Sequence, residues 1–376
     1  MTVSHWHETS DGRKDKSHEI VIIGSGLIGT YMANLLHDKD VALIDKNFPA
    51  AGASGRNAGM VLIGMRDTYV ETIRHFGHDS ALEIWRLTET NVNQMRKLAQ
   101  EHDVEYEDTG TYYFGGTDES DDDLRKSTEL LEGDNFNATF LQQDPLGRGF
   151  GCAAYHPDDF ATHPAKLTHK LSLACNATMY ENQEVFSIEQ KAHHLQVKTR
   201  NYTINCDKVM LAVNGYAGLI DPYFLPFVEP ARGQVLLTNP APRFLNKMCM
   251  HNRKCYYRQL PNGQLLVGGG RWQNIIQENT WEDRTTDNVK NYINDFINTY
   301  FSEAAEVGIS REWSGIHGMT PDGLPILGKL PHNPKVYFCV GFSGHGNSIG
   351  LMASQRALEL MIDDIHPGVL SVDRLI

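Results

Sequence analysis

A chain of 376 residues can bury a large core and is long enough for two lobes. Hydrophobic residues make up 41% and charged residues 22%, as in soluble globular proteins, and the net charge of −13 disfavours nucleic acid or an anionic membrane as partner. No apolar run approaches the ~20 residues of a membrane-spanning helix, and the polar N-terminus is no signal peptide, so a cytoplasmic protein is expected.

Residues 1–17 carry charge without apolar periodicity and read as a flexible extension containing His5 and His7. The run Ile20-Val21-Ile22-Ile23 then leads into Gly24-Ser25-Gly26-Leu27-Ile28-Gly29, and Val41-Ala42-Leu43-Ile44 ends at Asp45. A short apolar strand delivers the chain to a tight turn at Gly24, and Gly26 has no Cβ to obstruct a pyrophosphate. Gly29 lets a helix over 27–36 pack close to the strand. The helix N-terminus faces the phosphates, and Asp45 can accept from ribose hydroxyls. This is the pattern of a unit that grips the adenosine end of a dinucleotide.

Apolar spacing predicts a long helix over 80–102 and a strand over 109–116, with the acid run 118–123 as a solvated helix start. A short helix follows His163-Pro164 through Leu167 and Leu171. Strands are expected over 178–188, 195–199 and 208–213, with His193-His194 at a hairpin turn and Asn214-Gly215 ending the last. Segments 234–237, 254–259 and 264–268 alternate like antiparallel strands, and 287–300 has helical spacing. Near the C-terminus, strand 335–340, the glycine turn 341–346 and a helix over 348–362 repeat the logic of the first motif, as though a second helix N-terminus faces the ligand. The six cysteines show no paired spacing and read as buried free thiols, and the 17 histidines form no metal-binding pattern.

Three motifs carry a resemblance: Ala51-Gly52-Ala53-Ser54-Gly55-Arg56-Asn57-Ala58-Gly59-Met60, the glycine-rich segment 313–328, and the turn 341–346. Together they resemble the FAD-dependent amine and amino acid oxidoreductases, the family of D-amino acid oxidase, glycine oxidase and monomeric sarcosine oxidase, over residues 19–362. The stretch 54–59 is most similar to the branch containing gamma-glutamylputrescine oxidoreductase. The resemblance implies an α/β fold, with a Rossmann-like FAD-binding domain (18–85, 150–228 and 314–376) interleaved with an α+β substrate domain on a mostly antiparallel sheet (86–149 and 229–313). It implies FAD contacts from Gly24, Gly26, Leu27, Ile28, Gly29, Asp45 and Lys46, and from Ser54, Arg56, Asn57, Ala58, Gly59 and Met60 on the pyrophosphate or flavin side. Val185 would meet the adenine or be an ordinary strand valine. Asn214, Gly215 and Gly315 would lie near the cofactor, and Gly344, His345, Gly346 and Asn347 would offer donors from the last helix.

Two departures from the family pattern matter. His317 stands where family members that oxidise free amino acids place a carboxylate-clamping arginine, and a neutral imidazole has no bidentate fork. That favours an amine with no adjacent carboxylate, or one whose carboxylate is held elsewhere; Arg258 is the expected substitute or a strand arginine at the lobe interface. Met319 stands where sarcosine oxidases attach FAD through a cysteine, so non-covalent FAD is expected. His317, Arg258 and His345 are thus the expected catalytic residues, with oxygen or another acceptor taking the electrons. The alternatives are an amino acid oxidase or dehydrogenase, or a hydroxy-acid dehydrogenase on the same scaffold.

Overall fold

Four fully buried apolar residues, Ile20–Ile23, form the central strand of a six-stranded sheet in the computed structural model, which describes residues 12–376 apart from 253. The strand order is Thr178–Tyr180, Val41–Ile44, Ile20–Ile23, Lys208–Leu211, Asn333–Val340, Ile326–Leu330. All neighbours are parallel except the last pair. Such a sheet must be covered on both faces, and side-chain alternation divides the work. Ile20 and Ile22 pack with Met32 of helix Leu27–Leu35 and with Ile349 and Ala353 of helix Gly346–Asp363. Val21 and Ile23 face the other way, onto Val197 and Ile204 of a four-stranded sheet.

The chain leaves Ile20–Ile23 toward Val41–Ile44 on one side, and the strand on the other side is Lys208–Leu211. Strand order therefore reverses there, which opens a crevice at the C-terminal ends of these strands. Two glycines make the crevice tight. At Gly24, with φ of 105°, a Cβ would lie 2.5 Å from the Ala212 carbonyl oxygen. At Gly29 it would lie 1.9 Å from the Gly24 carbonyl oxygen.

The second large sheet has eight strands, ordered Ile309–Met319, Glu229–Pro240, Gln264–Gly269, Cys255–Gln259, Met248–His251, Thr111–Phe114, Ala153–His156, Thr139–Leu141. It is antiparallel apart from the pairing of Met248–His251 with Thr111–Phe114. Helix Asp287–Tyr300 covers one face, where Val289, Ile293 and Phe296 meet Leu236, Tyr257 and Val267. On the opposite face Val235 and Leu266 pack with Ala58 and Met60.

The 24-residue helix His78–Glu101 matches the expected one within two residues, and helix Asp287–Tyr300 matches its expected limits. The expected flexible extension needs correction: residues 1–11 lie outside the described ones, but Lys14–Ser17 is a strand paired in parallel with Tyr202–Cys206. All four of its side chains are exposed, so backbone bonding alone places it and no apolar signal marks it. The single strand expected over 178–188 is two, Thr178–Tyr180 in the parallel sheet and Val185–Gln190 in the four-stranded one. Asn182, at φ 55°, turns the chain between them. The expected lobe divisions at 85/86 and 313/314 fall inside a helix and a strand, and Ala153–His156, beyond 149/150, belongs to the eight-stranded sheet. All six cysteines are free, though Cys175 is only half-buried. Among the described residues no helix is long and apolar enough to cross a membrane.

The packing at Gly29 gives a direct test. Gly29→Ala should destabilise the protein by at least the ~1–3 kcal/mol typical of overpacking, read from urea unfolding by tryptophan fluorescence. An unchanged unfolding midpoint would show that helix and strand can separate freely.

Candidate cofactor and substrate cavity

A cavity of about 810 Å³ opens where the parallel strands end and faces the uncovered side of the eight-stranded sheet. Its size is in the upper part of the range for small-molecule sites, ~300–1,000 Å³. Gly24, Gly26, Leu27 and Ile28 line it where helix Leu27–Leu35 begins, and Gly344, His345, Gly346 and Asn347 line it where helix Gly346–Asp363 begins. Neither N-cap residue bonds its helix with its own side chain, and on the first helix the Leu27 amide is taken by Ser54 Oγ. The remaining first-turn N–H groups and the positive dipole ends of the two helices are turned toward one space, an arrangement suited to an anionic ligand.

The dinucleotide end is built from small and polar groups. Asp45 is held by its own turn: Oδ2 accepts from the Ser25 amide at 2.7 Å and the Ser25 hydroxyl at 2.9 Å, and Oδ1 accepts from the Asn47 amide at 2.8 Å. Lys46 lays its ammonium 3.7 Å from the Tyr216 ring centroid, a cation–π contact on the cavity wall. Ser54 Oγ accepts from the Leu27 amide at 2.9 Å, and a Cβ on Gly26 would approach that oxygen to 2.8 Å. Val185 also lines the cavity, at the start of its strand.

The middle of the cavity is tied by amides. Asn57 Oδ1 accepts from the Gly59 amide at 2.8 Å and from Asn347 Nδ2 at 3.0 Å, so the 51–60 loop is fastened to the last helix. That helix is fastened in turn to the long helix, since Asn91 donates to the Asn347 carbonyl at 2.7 Å and accepts from the Leu351 amide at 2.8 Å. Asn214, at φ 45°, points its Oδ1 at the amides of Gly341 and Phe342, 3.1 Å from each. Arg56 donates to the Ala51 and Ser314 carbonyls and pairs with Asp283 at 2.7 Å, so its charge is already neutralised by a residue of the facing wall.

At the other end His317 and His345 line the cavity together with Arg66, Tyr256 and Arg271. Burial, then the nearby charge of Arg271 and His345, pushes the His317 imidazole down to about 4. Burial also lowers His345. Both rings are therefore uncharged near neutral pH. Arg66 is engaged by Asp67 at 3.0 Å, and Arg271 donates to Asn279 and lies 3.6 Å from Glu229.

Of the residues expected at the site, Ser54, Ala58, Met60, Asn214 and Gly315 are cavity-lining as well as those already placed, and Met319 is too. No cysteine lines the cavity. Four expected residues do not line it. Gly29 serves helix packing, Gly59 turns at φ 71° against the Thr162 carbonyl, and Gly215 backs onto the His317 carbonyl, 2.7 Å from where its Cβ would be. Arg258 is the substantive correction. It is 8% exposed and sits behind Gly59, donating to the Thr162 carbonyl at 3.3 Å, and its burial pushes it down to about 10. Strand alternation puts it on the same face as Tyr256, but it lies one layer below the cavity surface. Residues not expected from the sequence include Tyr216, Arg271, Trp281 and Asp283. No local motif marks them; the turn signal Gly268-Gly269-Gly270 just before Arg271 was the available clue.

Comparison with known proteins agrees with this geometry. The family model for DAO, FAD dependent oxidoreductase, matches residues 19–360. A curated relative, Probable oxidoreductase OrdL of Rhizobium meliloti, is 28% identical over 90% of this chain and 83% of its own length. Gamma-glutamylputrescine oxidoreductase of Escherichia coli is 23% identical over 92% of this chain and 84% of its own. Among solved structures, glycine oxidase from Geobacillus kaustophilus superposes with a TM-score of 0.82 at 21% identity, covering 96% of this chain and 100% of that one. The chain belongs to the DAO family of FAD-dependent oxidoreductases.

Proposed function

We propose that this oxidoreductase oxidises the C–N bond of a small primary or secondary amine, giving an imine that water hydrolyses to a carbonyl compound. The observation that carries the cofactor half is the pair of helix N-termini facing one cavity where strand order reverses. The residues there fit FAD: the amides of the first helix turn and Gly26 would hold the pyrophosphate, and Asp45 retains a lone pair for a ribose hydroxyl. Backbone N–H groups at 346–347 would face the flavin ring. When bound, FAD supplies the acceptor for the hydride that leaves the carbon next to the nitrogen.

The chain's own residues then have two tasks. They must hold the amine with that carbon facing the flavin, and keep it unprotonated, because an ammonium has no lone pair to stabilise the cation left by hydride departure. Burial disfavours an ammonium at this end of the cavity, where the Arg66 charge is balanced by Asp67 on the same wall. The uncharged His317 and His345 can accept or donate a hydrogen bond without adding charge. Arg66 is engaged by a carboxylate, Arg271 by an amide with a carboxylate close by, and His317 offers no fork. These commitments support an amine without an adjacent carboxylate over a free amino acid. Among the relatives, a gamma-glutamylputrescine oxidoreductase and a glycine oxidase bracket that choice.

Anaerobic titration of the purified protein with putrescine derivatives, sarcosine, glycine and D-amino acids tests it. Bleaching of the visible flavin band by amines lacking an adjacent carboxylate is the expected result, and bleaching only by sarcosine, glycine or D-amino acids would overturn the reading. Gly26→Val should purify without the flavin band, since its side chain would displace Ser54 and intrude on the cofactor path; a variant as yellow as the parent would refute that path. Because His317 is pushed down to about 4, its neutral form is complete well below pH 6. The pH profile of kcat/KM should therefore keep its shape above about pH 5.5 in His317→Gln. A limb near 6.5 that vanishes in the variant would show that the imidazole titrates there.

A further inference from the structure

Residues 271–286 leave the end of strand Gln264–Gly269, cross the cavity mouth and return to helix Asp287–Tyr300. Two different kinds of bond hold this segment. Its base is a buried network: Glu278, 0% exposed, receives Arg232 Nε at 2.8 Å, Gln234 Nε2 at 2.7 Å and Thr286 Oγ1 at 2.9 Å. Arg232, 1% exposed, also donates to the carbonyls of Gln277 and Glu282. All these partners come from the segment itself or from strand Glu229–Pro240, so the base stays with the eight-stranded sheet.

Its free edge instead reaches the nucleotide-binding side. The Trp281 indole N–H donates to the Gly215 carbonyl at 2.7 Å, just past the strand Lys208–Leu211. Asp283 pairs with Arg56 at 2.7 Å through Oδ2, while its Oδ1 accepts from the Ser314 hydroxyl at 2.6 Å, on strand Ile309–Met319 of the strap's own sheet. Trp281, Asp283 and Arg56 all line the cavity, and the side chains of Arg56 and Asp283 are 38% and 42% exposed. Buried, fully paired groups are expensive to break, whereas half-exposed bonds open in local fluctuations.

We infer that residues 279–284 form a strap that retains the cofactor, hinged on the Arg232–Glu278 base and clasped by Trp281 to Gly215 and by Asp283 to Arg56. The clasp joins the two walls of the cavity, and its opening breaks only the Trp281 and Arg56 bonds while the Glu282 carbonyl and Asp283 stay with Arg232 and Ser314 of the eight-stranded sheet. Trp281 and Asp283 are positioning residues in this scheme: they act on how long the cofactor stays, not on the reacting carbon. The pairing also gives Arg56 a task other than contact with the pyrophosphate, since its charge is spent on Asp283.

The test is the rate of FAD release from holoenzyme, followed by the rise in flavin fluorescence after large dilution into flavin-free buffer. Trp281→Phe keeps the ring and removes the N–H; Asp283→Asn keeps the shape and removes the charge. Each should speed release roughly 2- to 10-fold, the factor for one hydrogen bond of ordinary net strength. Arg284→Ala, which loses only a pairing within the strap to Glu282, should release FAD at the parental rate. Added NaCl should speed release less in Asp283→Asn than in the parent, because the screened ion pair is already gone. Unchanged or slower release in both clasp variants overturns the inference, as does equal acceleration in Arg284→Ala, which would mark a general loosening of the surface.

Discussion

Everything at the cavity depends on how closely the first helix approaches the first strand. A hydrogen atom is all that fits between Gly29 and the Gly24 carbonyl, and between Gly24 and the Ala212 carbonyl. That contact fixes the helix axis relative to three parallel strands, and with it the direction in which the first-turn amides point. Ser25 and Asp45 add a second constraint, because two bonds to one carboxylate oxygen tie the glycine turn to the end of the neighbouring strand. The last helix is aligned by different means. Its first turn is held by Asn57 and Asn91, whose amides bond it to the 51–60 loop and the long helix. Two helix N-termini thus converge through separate devices, one steric and one hydrogen-bonded.

The opposite wall is held by a buried ion pair. Isolated from water, Arg232 and Glu278 would be costly to bury, and they are tolerated because Gln234, Thr286 and two backbone carbonyls complete their bonding. The network fixes Gln277, Glu278 and Thr286 against the sheet. Arg271 and Trp281, on either side of Glu278, inherit their places from it.

Local grammar explains what could be read from the chain beforehand. The motif from Ile20 to Asp45 was legible because its glycine turn, helix start and acidic strand end, joined by the Ser25–Asp45 and Gly29–Gly24 contacts, lie within about twenty positions of one another, and the helix over 287–300 because its apolar face is continuous. The strand Lys14–Ser17 was not, since its side chains are all in solvent and its bonds are made by the backbone to a partner nearly 190 residues away. Of the two readings of Arg258, a carboxylate anchor or a strand arginine at the lobe interface, its burial and its bond to the Thr162 carbonyl fit the second. Alternation in a strand tells which way a side chain points, and only the packing of Gly59 and Thr162 over it decides that it ends beneath the cavity floor. Arg271 and Asp283 had no signal of their own, because their positions are set by a network whose members lie on separate elements.

This contrast has a physical origin in how the two halves of the cavity bind. The nucleotide half presents backbone amides and missing side chains, so its requirement is for glycine and small residues at fixed spacing, which a sequence displays directly. The other half presents side chains, and those of Arg66, Tyr256, Arg271, His317 and His345 arrive from five separate segments. A substitution at any one of them changes charge or shape at the reacting end while leaving the helix N-termini and the glycine contacts intact. His317 and Gly315 show the separation: the imidazole is uncharged near neutral pH, whereas a Cβ added at Gly315 would come within 3.1 Å of Arg56 Cβ. Cofactor and substrate recognition can therefore diverge independently along a single strand, with alternate residues serving each.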